Sequence, residues 1–139
     1  RTAALQVASG RSGAFATWTG SVDYSRDRFD LKAEYGTKTG FGTTGVAWYG
    51  QAAYTIAQRW TPFVRFDVLT TDRARKHLPS FHQESVVLGL GYRLNDYVAF
   101  RVETHRNEGY ALAVAAREIA EGQGTADWRM TTLSISFIF

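Results

Sequence analysis

His105 stands two residues after Glu103, a spacing that puts both side chains on one face of an extended strand. Asp67 is a second carboxylate that could serve it. A histidine beside a carboxylate is the start of a general-base device. A lipid-modifying hydrolase would also need a serine nucleophile next to the imidazole. The residues after His105 are Arg106-Asn107-Glu108-Gly109-Tyr110, without a serine. No catalytic residue is assigned, and no enzyme is expected. His77 and His82 lie in a basic stretch with Arg73, Arg75 and Lys76 and lack acidic partners, so no metal site is expected. That stretch could meet lipopolysaccharide phosphates or gather anions, or simply be solvated. Gly40-Phe41-Gly42-Thr43-Thr44-Gly45 matches G-x-G-x-x-G, but a strand follows it rather than a helix, so no cofactor is expected.

Charge is the more informative chemistry. Asp30, Lys32, Glu34, Arg65, Asp67, Arg93, Arg101, Glu103 and His105 share one face under a single strand register. Lys32, Arg65, Arg93 and Arg101 would make a cationic ladder if that face lined water. The alternative is that the charges pair and hold an interior together. Many other residues of the same face are small: Thr17, Thr19, Ser21, Ala53, Gly89, Gly91, Ser134 and Ser136. A small polar lining slightly favours an open, wide interior.

The elements that must carry these residues read as strands. Alternation runs through Thr2–Ser9, Ala16–Tyr24, Phe29–Tyr35, Val46–Ile56, Pro62–Val68, Ser85–Leu94, Val98–His105 and from Trp128 to the end. Each apolar set faces away from the charges. Short turns are expected at Ser25–Arg28, Gln58–Arg59 and Asn95–Asp96. Long loops are expected at Gly36–Gly45, Thr70–Glu84 and Arg106–Asp127, the last with a short helix over Ala111–Glu121. Short turns on one rim and long loops on the other are the asymmetry of a transmembrane barrel. Tyr24, Phe29, Tyr54, Trp60, Tyr92, Phe137 and Phe139 gather at one end, and Trp18, Tyr35, Trp48 and Trp128 at the other, as interfacial belts do.

The 139 residues make one domain, 1–139, or the C-terminal part of a longer barrel. Apolar residues are plentiful enough for a folded chain, at 45%. The apolar stretch Ala111–Ala116 falls far short of the roughly 20 residues of a spanning helix, so a helical membrane protein is excluded. Without cysteine there is no disulfide or thiolate site. A net charge of +3 argues neither for nor against an anionic partner, and no nucleic acid is expected. The chain shows no signal peptide at its start, which suggests a mature or truncated chain.

The last strand alternates Leu133, Ile135, Phe137 and Phe139 and stops on an aromatic ring. It resembles the C-terminal signal by which Gram-negative outer-membrane barrels are received by the barrel-assembly machinery. Four further segments carry a wider resemblance: Phe29 to Tyr35, Trp48 to Tyr54, Trp60 to Asp67 and Leu88 to Asp96. Together they look like the C-terminal half of a porin, closest to the phosphate-selective (O and P type) porin-like family. The resemblance covers the chain from about Ala14. It implies an all-β, antiparallel transmembrane barrel in the bacterial outer membrane, with about eight strands in this chain. It also implies a sixteen-strand, trimeric pore in contact with lipid bilayer and lipopolysaccharide. The expected function is passive diffusion of small polar or anionic solutes past Lys32, Glu34, Arg65, Asp67, Arg93, Arg101, Glu103 and His105. The alternative is a small closed barrel with a structural or surface-interaction role.

Overall fold

The computed structural model describes residues 2–12, 15–111 and 126–137. The expected helix after Ala111 and the terminal Phe139 lie outside the described residues. Eight strands form one antiparallel sheet in sequence order: β1 (Thr2–Ser12), β2 (Phe15–Arg26), β3 (Phe29–Gly40), β4 (Thr43–Tyr54), β5 (Trp60–Thr70), β6 (His82–Arg93), β7 (Val98–Gly109) and β8 (Asp127–Phe137). The strands hold 11 or 12 residues, longer than their cleanest alternation suggested and enough to cross a bilayer at a tilt. Among the described residues no helix is long and apolar enough to cross a membrane.

Period-2 side chains and an unbroken set of ladders sort the residues onto two faces. One cross-strand row runs Leu5, Val22, Ala33, Gly50, Phe66, Val86, Arg106, Arg129. It leaves β1 near the short-turn rim and reaches β8 near its first residues, at the opposite rim. The strands are therefore staggered, as a curved sheet requires. The sheet stays open: no ladder joins β1 to β8 among the described residues, so these eight strands do not close the expected barrel. Closure needs the last strand within hydrogen-bonding distance of the first, near 4.8 Å.

The expected short turns form. Asn95 closes the β6–β7 turn, its Oδ1 accepting from the Tyr97 and Val98 amides at 2.9 and 2.8 Å. Gly36–Gly45 is not a long loop. It pairs down to Gly40 opposite Thr43, with Phe41 (φ 48°) and Gly42 (φ 75°) making a two-residue turn. Positive φ at both positions is what a right-twisted hairpin demands, so the glycine marks a turn rather than a loop. The β5–β6 connection is long, as expected, and holds a single 3₁₀ turn over Arg73–Arg75.

Burial is inverted relative to a water-soluble sheet. On β6 the buried residues are Gln83, Ser85 and Val87, while Glu84, Val86 and Leu88 are exposed. Leu88 is 62% exposed and Leu133 73%. The apolar core among the described residues is small, formed by Ala53, Phe63 and Val87 on the polar face.

Candidate functional site: a concave, charge-paired face

The polar face is concave, because one cavity of about 1070 Å³ is lined by residues from β2 through β8. Phe15, Thr17 and Thr19 border it on one side and His105, Asn107, Trp128 and Met130 on the other. Alternation and register put these side chains there, since Ser21, Glu34, Tyr49, Asp67, Ser85, Asn107 and Trp128 follow one another from ladder to ladder.

The nine charged residues expected on one face share it in the ladders, and most are paired. Arg65 Nε donates to Asp67 Oδ2 at 2.9 Å. Glu103 takes Arg101 Nε on one oxygen and lies 3.0 Å from His105 Nε2 with the other. Lys32 sits 3.3 Å from Asp23, its ladder partner. Glu34 and Arg93 form no ion pair among the described residues. The cationic ladder is thus mostly neutralised by carboxylates, the arrangement that holds an interior together. Asp30 accepts from Ser25.

A septum crosses the middle of the face. The Phe63 ring covers Gly89, its ladder partner, so closely that a Cβ there would lie 1.9 Å from the ring. The Arg101 guanidinium lies 4.0 Å from the ring centroid. Val87 beside them has no exposed surface. Below the septum a second cavity of about 620 Å³ is bordered by Arg28, Arg59, Arg93 and Arg101 with Thr55 and Ser136.

Sequence alternation missed three participants. Phe63 stands among polar-face positions of β5, and its signal was an aromatic opposite a glycine. Asn107 falls in the expected loop, since clean alternation stops at His105; it lies two residues further along the same face. Trp128 is not part of an outward belt as expected: it faces the cavity, and its indole N–H donates to Gly109 O at 2.8 Å. The even positions of β8 share the concave face with Asn107, and Trp128 has the parity of Ser134 and Ser136 on that strand.

Of the two histidines expected to lack acidic partners, His82 has one in Glu84. His82 is bound on both ring nitrogens, to Thr70 at 2.9 Å and Glu84 at 3.1 Å. Among the described residues no group of three metal-ligating side chains forms. Asp72 accepts from the Ala74 amide at 2.9 Å and from Arg75 Nε at 2.6 Å. The Arg75 hydrogen bond, then that of the Ala74 amide, hold its carboxyl below the ordinary value of 3.8.

A comparison with protein-family models, curated proteins and solved structures found no match.

Proposed function

We propose that these strands form wall of an outer-membrane β-barrel, either a small barrel or a section of a larger ring. Its concave face would line a porin-like passage for small polar or anionic solutes. The observation that carries this reading is the inverted burial: a convex face of exposed apolar side chains behind a concave face of paired charges. Charged convex positions occur only towards strand ends, among them Arg26, Glu84, Arg106, Glu108, Asp127 and Arg129. A contiguous apolar surface of this extent needs a covering phase, and lipid covers it without unpaired backbone when the sheet is part of a ring. Trp18 against Tyr35, and Trp60 against Tyr92, supply amphipathic rings towards the two rims. The stagger of the ladders is the geometry that a barrel uses. In this reading the partners are bilayer lipid, lipopolysaccharide and the barrel-assembly machinery, with a homotrimer as the assembly.

The septum favours a second reading, a closed barrel with a structural or surface-interaction role, because Phe63 on Gly89 and the paired Arg101 fill part of the concave face between the two cavities. Single-channel conductance in a planar bilayer, with reversal potentials in a salt gradient, separates the two. The porin reading expects steady steps from the full chain and larger ones from Phe63→Ala. Silence from both inserted proteins would overturn it in favour of the closed barrel.

A further inference from the structure

The convex side of the β7–β8 ladder changes its chemistry in steps. Arg106 stands opposite Arg129, Thr104 opposite Thr131 and Val102 opposite Leu133. Period-2 alternation keeps all six on the convex face. From the long-loop rim inward the ladder therefore runs guanidinium, hydroxyl, then hydrocarbon. Like charges directly opposite one another on a sheet repel. Among the described ladders no other convex pair joins two cations. Both arginines are exposed, and among the described residues neither guanidinium has an ion pair or hydrogen bond. The Thr104 and Thr131 hydroxyl oxygens lie 3.5 Å apart, one step inward of the arginines.

Two guanidiniums above two hydroxyls make a patch of hydrogen-bond donors suited to the oxygens of a phosphate group. The apolar residues inward of the patch say which phosphate. Leu133 and Ile135 are exposed on the same face, so an acyl chain carried by the phosphate would lie along them. A free phosphate gains none of that contact. It would also meet Glu108 and Asp127, the next pair towards the rim, whose carboxylates oppose an anion. A lipid held by its chains keeps its phosphate inward of those carboxylates.

We infer that the outer end of the β7–β8 ladder is a docking site for the phosphate of an acylated lipid. Arg106 and Arg129 hold the phosphate, and the chains lie over Leu133 and Ile135. The inference rests on the reading of the convex face as lipid-facing and names the place where a particular lipid is held. It needs no solute passage, so it applies to either size of barrel.

The test adds dilauroyl phosphatidic acid, a phosphomonoester lipid, to the full chain in detergent and counts retained lipids by native mass spectrometry. Flotation with phosphatidylcholine vesicles is read first for every protein. One retained phosphatidic acid per chain is expected. Arg106→Gln with Arg129→Gln is expected to float and to weaken retention about tenfold or more, since both charge-assisted partners are gone. Arg73→Gln with Lys76→Gln removes the same charge from the β5–β6 loop and is expected to leave retention unchanged. Glycerol phosphate, the headgroup without chains, is expected not to displace the lipid. Equal retention by the two double variants, or displacement by glycerol phosphate, overturns the inference. A wild type that floats but retains no phosphatidic acid overturns the site and leaves the lipid-facing wall standing. A wild type that does not float overturns the wall, and the site with it.

Discussion

Val86 and Val87 are neighbours on β6, yet Val86 is 40% exposed on the convex face and Val87 is 0% exposed on the concave one. Beside Val86 on that face lie Leu88 and its ladder partner Phe66, also exposed, with Arg106 opposite on β7. Around Val87 lie Phe63, paired charges and buried amides. In water the first valine would be the wasted one. The difference teaches that the internal packing of this sheet is on its polar side, by ion pairs and one small cluster. The apolar side is left for a surrounding phase.

The sharpest way to break that comparison is to put a charge on the convex face. Leu88→Arg is expected to destabilise the inserted protein by about 2–4 kcal/mol if Leu88 lies near the bilayer midplane. Ser134→Arg on the concave side is expected to cost much less. Urea unfolding in lipid vesicles measures both, and equal costs would remove the lipid assignment of the convex face.

The septum gives the next largest effect. Gly89→Ala puts a methyl into the Phe63 ring and is expected to cost about 1–3 kcal/mol through overpacking. Adding Phe63→Ala to that variant is expected to recover part of the loss, as contacting residues couple. Strict additivity in the unfolding free energies would show that ring and glycine do not meet. At the short-turn rim, Asn95→Ala removes the acceptor for two amides and is expected to cost about 1 kcal/mol by the same measurement.

The smallest effect belongs to the β5–β6 loop, outside both faces. The Asp72 carboxyl is held low by Arg75 and the Ala74 amide. A lowered folded value means its stabilisation is fully present above the ordinary carboxylate value. It is lost as pH falls below that value and through the lowered one. The Ala74 amide proton resonance is expected to shift over that acid range and not between neutral and mildly acidic pH. In Asp72→Asn that transition is expected to disappear.

Much of this was legible along the chain because a strand repeats every two residues. Phe29, Leu31, Ala33 and Tyr35 against Asp30, Lys32 and Glu34 fixed the two faces without any contact being known. Glu103 and His105 were placed together for the same reason, and their hydrogen bond followed. Strand ends were less legible. Gly36–Gly45 looked like a loop because glycine and threonine carry little apolar contrast, although the backbone ladder pairs them regardless of side chain.

By itself the sequence determined strand identity, the short turns and the segregation of charge to one face, since all three depend on residues close in the chain. Only the tertiary structure decided that Lys32 meets Asp23 across a ladder, whereas Arg65–Asp67, Arg101–Glu103 and Glu103–His105 are neighbours along one strand. It also decided that Phe63 meets Gly89 and that Arg106 stands opposite Arg129. Those facts depend on ladder register between strands separated by loops. A shift of one residue in that register would exchange every partner and turn each side chain to the other face.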